Sequence, residues 1–195
     1  MPRVSVVYKV QLCNDRPFFK KSSGAATTLI NGRSRKAKRV GSKRLVMSNN
    51  SISLHRVIKA SPEKVYRAFT EPLAIAAWYP PYGFLCNVHE MDVREKGGFK
   101  MSFHNFTTGS SHQFSGTYEL VKPNEALTVT EKFDQPDLPD IMTTKIELKK
   151  VSVGTELKIE QHGFPAFIPA EMCYLGWQES LEKLIKLVEP EIPDK

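Results

Sequence analysis

Between Ile52 and Val188 the hydrophobic positions change period three times, and each change marks a change of element. Ile52, Leu54 and Ile58 alternate with Ser53, His55 and Lys59, the period of a strand with one buried face, and the strand ends at Ala60. Ser61-Pro62-Glu63-Lys64 then carries the signals of a helix start. A Ser61 N-cap offers an oxygen to an orphan backbone N–H, Pro62 has no N–H to lose at the first helical position, and Lys64 takes N3. Val65, Ala68 and Phe69 form the inner stripe of this helix; Glu71-Pro72 ends it, a second short helix follows from Leu73 to Trp78, and Pro80-Pro81-Tyr82-Gly83 forces a turn.

From Phe84 to Phe164 the period returns to two. Phe99, Met101 and Phe103 share a side against Lys100, Ser102 and His104, and Phe114, Gly116, Tyr118 and Leu120 oppose Gln113, Ser115, Thr117 and Glu119. Leu127, Val129 and Phe133 oppose Thr128, Thr130 and Lys132; Met142, Ile146 and Leu148 oppose Lys145, Glu147 and Lys149; Leu157 and Ile159 oppose Glu156, Lys158 and Glu160. The strand between Phe84 and Val93 has no definite parity. Gly97-Gly98, Thr107 to Ser111, Pro123-Asn124, Gln135 to Pro139 and Ser152 to Gly154 are short turns, so neighbouring strands pair as antiparallel hairpins. The last change comes at Ala170. Through Val188 the residues Tyr174, Trp177, Leu181, Leu184 and Val188 recur every three or four positions, one apolar stripe on a long helix, with Glu179, Glu182, Lys183 and Lys186 largely off it. The expected fold class is α+β: a curved antiparallel sheet of about six to seven strands wrapped around the terminal helix, with two short helices after the first strand. A large concave sheet gripping one helix leaves room for a cavity between them.

Charge divides the chain where the periodicity begins. Residues 1 to 46 carry 12 Lys and Arg against one acid, Asp15, whereas residues 47 to 195 carry 16 against 20. The basic balance therefore belongs to the leader, and the folded part offers no basis for a nucleic-acid partner. Residues 22 to 44, rich in Ser, Thr, Gly, Lys and Arg, lack the apolar surface to offset the entropy of ordering. Residues 1 to 46 read as a disordered, non-native extension ahead of a start at Met47, with a transit peptide or nucleic-acid tail as the alternatives. One domain then spans residues 47 to 190, and residues 191 to 195 form a tail. Cys13, Cys86 and Cys173 have no close spacing and are odd in number, which points to a reducing, cytoplasmic compartment rather than a disulfide framework or zinc cluster. No run is long enough to span a bilayer.

Catalytic signatures are missing from the sequence: there is no phosphate loop, nucleophile elbow, His-Glu-x-x-His or Cys-x-x-Cys. His55, His89, His104, His112 and His162 are scattered and read as solvated surface groups, and no cofactor or metal is expected. Cys173, beside the inner stripe of the last helix, reads as a small buried hydrophobe. Three polar residues break the inner parity: Glu131, between Val129 and Phe133; Thr144, between Met142 and Ile146; and Gln161, after Leu157 and Ile159. The hairpin turns bring all three to one edge of the sheet. A buried carboxylate is costly unless paired, so Glu131 is the candidate for orienting a ligand or acting as an acid/base. The alternative is an open edge where Glu131 meets water or an Arg. The candidate ligand-binding set is Trp78, Met101, Phe103, Phe114, Tyr118, Glu131, Phe133, Met142, Thr144, Gln161, Trp177 and Leu181, whose aromatic members equally suit a packed core.

Five segments in register carry a family resemblance: Ser61 to Thr70, Trp78-Tyr79 with Gly83-Phe84, Gly97-Gly98-Phe99, Gly116-Thr117-Tyr118-Glu119, and Gly176-Trp177 followed by Leu181 and Leu184. Over residues 52 to 188 the chain resembles the helix-grip superfamily that includes the START and Bet v allergen domains and the polyketide cyclases. Within it, the chain is most similar to the family named after the activator of heat-shock-protein-90 ATPase. The resemblance implies a hydrophobic cavity between sheet and final helix and a small apolar ligand such as a lipid or polyketide. It also implies a possible chaperone partner, although the co-chaperone itself engages the chaperone through a further N-terminal domain that residues 1 to 46 do not resemble. A cyclase-like or hydrolytic enzyme using Glu131 is the third function class.

Overall fold

The computed structural model describes residues 50–134, 141–165 and 168–193, and the two periodicities of the sequence become two layers within it. Strand β1 (Ser51–Ile58) is followed by helices α1 (Pro62–Thr70) and α2 (Pro72–Trp78), then by β2 (Phe84–Met91), β3 (Gly98–Asn105), β4 (Ser111–Lys122), β5 (Ala126–Phe133), β6 (Met142–Val151), β7 (Gly154–His162) and the closing helix α3 (Ala170–Val188). The strands form one sheet in the order β1-β7-β6-β5-β4-β3-β2, every pair antiparallel. Five of the six pairings join strands adjacent in sequence, as short turns require, and the long excursion through α1 and α2 carries the chain from one edge to the other.

The local signals act as their chemistry dictates. The Ser61 hydroxyl accepts from the Lys64 N–H at 3.3 Å, with Pro62 behind it at the helix start. Gly154, in the β6–β7 turn, sits at φ +143°, and a Cβ there would lie 2.1 Å from the Ile58 carbonyl oxygen. Only glycine fits that approach. Beside it Thr155, fully buried, donates its hydroxyl to the Ala60 carbonyl at 2.7 Å, which ties the end of β1 to the start of β7.

The core lies between the concave face and the helices. Ile58, Leu157, Ile159, Leu181 and Leu184 are each no more than 1% exposed. Burial of side chains this size stabilises the fold by about 1.5–3 kcal/mol apiece. The buried positions of α3 are Cys173, Gly176, Trp177, Ser180, Leu181, Leu184 and Val188, spaced at three and four. Tyr174, expected on that stripe, is only half-buried: the face is centred on Trp177, and Tyr174 falls on its flank while Cys173 and Gly176 take the inner positions. Cys173 is the buried small side chain that its position predicts.

Two β-bulges account for the departures from strict alternation on β2 and β4. On β2 the register shifts between Val88 and Glu90, so Phe84, Cys86 and Val88 face the core and then Met91 does, opposite Phe99. That extra residue is why the parity of this strand is not legible from its sequence. On β4 the register shifts between Tyr118 and Leu120; Val121 pairs with Leu127 and packs on the core, and Leu120 loses the inner place that alternation assigns it. On β3, Ser102 belongs to the outer parity yet is buried, its hydroxyl bonded to the His89 ring at 2.9 Å. No described helix is long and apolar enough to cross a membrane. The extension read in residues 1 to 46, the Met47 start, and the turn at Gln135 to Pro139 lie outside the described residues.

Candidate functional site

The inner face is not filled evenly. Between the concave surface of β3–β6 and the helices α2 and α3 lies a cavity in which the centre of a water can range over about 40 Å³. Its walls are Phe69, Ile75, Tyr79, Phe99, Met101, Tyr118, Leu127, Val129, Glu131, Thr144, Ile146 and Trp177. A second chamber, about 20 Å³, lies among Tyr79, Phe103, Phe114, Glu131, Phe133 and Met142. Tyr79 and Glu131 are common to both, so this pair stands between the two chambers. About 10–15 Å³ admits one water, so the larger chamber holds roughly three and falls well short of the ~150 Å³ that takes up benzene. A third hollow, about 240 Å³, is lined by Ser115, Gly116, Thr117, Thr130, Glu131, Lys132 and Ile141, so Glu131 borders it as well as the two chambers.

Glu131, Thr144 and Gln161 meet as their parity predicts. All three are buried, at 4%, 2% and 1% exposure. The register makes this contact: Thr144 of β6 pairs with Gln161 of β7 and with Val129 of β5, which places Glu131, two residues on, diagonally across from Gln161. The Gln161 amide nitrogen donates to Glu131 Oε1 at 3.2 Å and to Thr144 Oγ1 at 3.2 Å, and its oxygen accepts from the Trp177 indole N–H at 3.0 Å. An indole nitrogen can only donate, so Trp177 fixes which end of the amide faces helix α3 and turns the NH2 toward the carboxylate. The other carboxylate oxygen, Oε2, accepts from the Tyr79 hydroxyl at 3.4 Å. Glu131 is thus buried beside Gln161 and Tyr79 rather than exposed at a strand end.

Tyr79 follows directly on α2, where Pro80 prevents the helix from continuing. Its carbonyl accepts from the buried Ser180 hydroxyl of α3 at 2.7 Å, which anchors the backbone and aims the ring inward. The ring lies between Trp78, Phe103, Phe114 and Trp177, with centroids at 5.5, 5.6, 6.4 and 5.7 Å. The residue as a whole is half-buried, but its hydroxyl is inside. Burial, reinforced by the Glu131 carboxylate, pushes that hydroxyl well above the ordinary phenol range. Tyr118 is pushed up by burial as well. Both phenols therefore stay protonated and can act as donors.

Of the residues singled out in the sequence, Met101, Tyr118, Glu131, Thr144 and Trp177 line the larger chamber, and Phe103, Phe114, Phe133 and Met142 the smaller. Gln161 stands behind Glu131 as its support. Trp78 and Leu181 are core: Trp78, fully buried, donates its indole N–H to the Ala68 carbonyl at 2.7 Å and meets Phe69 edge-on at 4.8 Å. Tyr79 was missing from the set, and the signal available for it was its place between Trp78 and the Pro80-Pro81 turn. His112 corrects the reading of the histidines as solvated: it is 6% exposed on β4, and burial lowers its basicity. Among the described residues no group of His, Cys, Asp and Glu is placed to hold a metal ion.

Comparison with known proteins adds the context. The family described as "Activator of Hsp90 ATPase homolog 1-like protein" matches residues 59–189. A crystal structure of a protein from Chromobacterium violaceum is 51% identical, covering 73% of this chain and 99% of that one, with a TM-score of 0.71. A protein from Nitrosomonas europaea is 25% identical over 72% of this chain and 94% of its own, with a TM-score of 0.60. An AHSA1-like protein from Aeromonas hydrophila, solved in solution, is 20% identical over 71% and 92%, with a TM-score of 0.60, and shows the shared fold. No curated protein matches the chain at a significant level.

Proposed function

Because the chain belongs to the Activator of Hsp90 ATPase homolog 1-like family, and the helix-grip fold of that family commonly encloses hydrophobic ligands, we propose that it binds a small, mainly apolar molecule between the curved sheet and α3. The observation that carries this reading is the pair of apolar chambers meeting at one buried carboxylate, whose hydrogen-bond partners are held by a second layer of side chains. An apolar pocket with a few convergent polar groups is the usual form of a small-molecule site. The chambers are small, so a ligand larger than a few waters enters by moving Tyr79 aside and joining them. No chemical step is required of the domain in this reading.

Ligand-induced stabilisation tests it, since a molecule that binds only the folded state raises the melting temperature. In the full chain, small aromatic compounds should raise Tm; Val129→Phe, which fills the larger chamber, should abolish the shift, and Leu127→Ala, which enlarges it, should increase it. A shift that both variants leave unchanged would place the binding elsewhere. The family name supports a second reading, stimulation of a chaperone ATPase through a surface; exposed Tyr82, Leu85 and Phe106 around the start of β2 would carry it. An ATPase assay with saturating domain decides that reading: stimulation lost on Phe106→Ser supports it, and no stimulation removes it.

A further inference from the structure

We infer that the ligand of this cavity is a neutral molecule bearing a carbonyl oxygen, and that the Tyr118 hydroxyl donates to that oxygen. This rests on the cavity reading above and specifies its chemistry. The first ground is a buried donor with nothing to donate to. Tyr118, on β4, is 3% exposed and forms part of the wall of the larger chamber, its ring fixed edge-to-face against Phe99 at 5.5 Å. Among the described residues no group hydrogen-bonds with its hydroxyl, although Tyr66 and Asp92 are near enough to act on it electrostatically. It acts in turn on the hydroxyl of Tyr79, a residue common to both chambers. Buried polar groups ordinarily have a partner, and one left without costs stability. A phenol donates more readily than it accepts, because its ring draws on the oxygen lone pairs, so the partner that suits it is an acceptor oxygen.

The second ground is the sheet register. Tyr118 pairs with Val129, and Val129 with Thr144, so the three stand in one row across β4, β5 and β6, and all three line the larger chamber. The middle of that row is apolar and each end carries a hydroxyl. The Thr144 hydroxyl already accepts from Gln161 at 3.2 Å; the Tyr118 hydroxyl is the unengaged one. A small ring seated over Val129 lies beside Tyr118, and a carbonyl on its rim supplies the acceptor. The third ground is charge. Among the described residues no Lys, Arg or His lines the larger chamber. A carboxylate or phosphate in place of the carbonyl would be buried without a cation, which costs far more than burying a neutral oxygen that is hydrogen-bonded.

The test uses three flat probes of similar size on the full chain at pH 7.5, followed by calorimetry and Tm: acetophenone, α-methylstyrene, which has a CH2 group in place of the carbonyl oxygen, and benzoate. Tyr118→Phe keeps the ring and removes the donor, so it should weaken acetophenone about tenfold more than α-methylstyrene. The infrared carbonyl stretch of bound acetophenone should lie at lower frequency in the wild type than in this variant, a signature that a purely structural role for Tyr118 would not produce. Benzoate should bind neither protein. Without ligand, Tyr118→Phe should leave Tm unchanged or raise it, because the hydroxyl it removes has no partner. A Tm several degrees lower would mean that the hydroxyl is bonded in the empty protein, and would overturn the inference. Equal weakening of ketone and alkene, with an unshifted carbonyl stretch, would leave the cavity in place and overturn the donor assignment, and benzoate binding as tightly as acetophenone would overturn the neutral one. No binding of any probe, the hydrocarbon included, would overturn the cavity reading itself.

Discussion

The two halves of the sheet enclose different interiors. On the β1–β7–β6 side the pairings run without a register shift, and the inner residues Leu54, Ile58, Leu157 and Ile159 are branched aliphatics at 0–2% exposure under Leu181 and Leu184 of α3. On the β2–β5 side two bulges break the register, and the inner residues are rings and thioethers, Phe99, Met101, Phe103, Phe114 and Tyr118. Both chambers lie on or border this side. The difference teaches where a helix-grip fold makes room. Branched aliphatics interdigitate at crystal-like density, while flat rings tilted against one another leave wedges between them. Gly116 adds to this: a Cβ there would lie 2.4 Å from the Phe99 ring, so its missing side chain is what lets that ring lie over the strand.

The comparison breaks most visibly if both halves respond alike to truncation. Leu184→Ala, in the dense half, removes a fully buried side chain where neighbours cannot relax, and should cost about 2–5 kcal/mol. Met101→Leu, in the loose half, conserves volume beside an existing cavity and should cost less than about 1.5 kcal/mol. Chemical denaturation of the two variants measures the contrast, and equal costs would mean that the halves are packed alike.

A smaller effect sharpens the seam between the halves, where Trp177 of α3 reaches across to Gln161 of β7. Trp177→Phe keeps an aromatic ring but leaves the buried Gln161 oxygen without its 3.0 Å donor, at a cost of about 1–3 kcal/mol. In a Gln161→Met background that amide no longer exists, so the same Trp177→Phe change should cost markedly less. Costs that simply add in the double-mutant cycle would show that the two side chains are not coupled.

How much of this was legible in the chain differs between the halves in the same way. The dense half follows strict alternation, so Ile52, Leu54, Ile58, Leu157 and Ile159 could be assigned inward from period alone. Glu131, Thr144 and Gln161 were legible too, because a polar residue on an apolar parity stands out and short hairpins fix which strand ends are neighbours. The loose half was less readable. A bulge inserts one residue and inverts the faces beyond it, and nothing in Val88-His89-Glu90 or Tyr118-Glu119-Leu120 announces that insertion. Tyr79 escaped because its role depends on a tertiary contact, the Ser180 hydroxyl on its carbonyl, which links positions 101 residues apart. His112 escaped because a histidine at the start of a strand reads as wet until the neighbouring elements are placed.

His112 supplies the finest test, through pH. Burial disfavours its charged form, so its folded pKa lies below the value of about 6.5 for an unfolded chain. As pH falls through that value the unfolded chain takes up a proton before the folded one does, and folding stability drops until the folded pKa is passed, after which the penalty is constant. Hydrogen bonds hold the surface carboxylates Glu119 and Glu156 below the ordinary range, through Lys96 and His55. Their contribution is lost only as pH falls below about 4.5, on the acid side of the histidine window. Glu179, raised by burial, acts near that boundary with the opposite sign, and it cancels when the wild type is compared with a variant. Between pH 7 and 5 the wild type should therefore lose more Tm than His112→Gln, whose side chain does not titrate. A difference between the two proteins that stays constant across this range would mean that His112 titrates as an exposed group does, and that the interior near the start of β4 is wetter than its 6% exposure indicates.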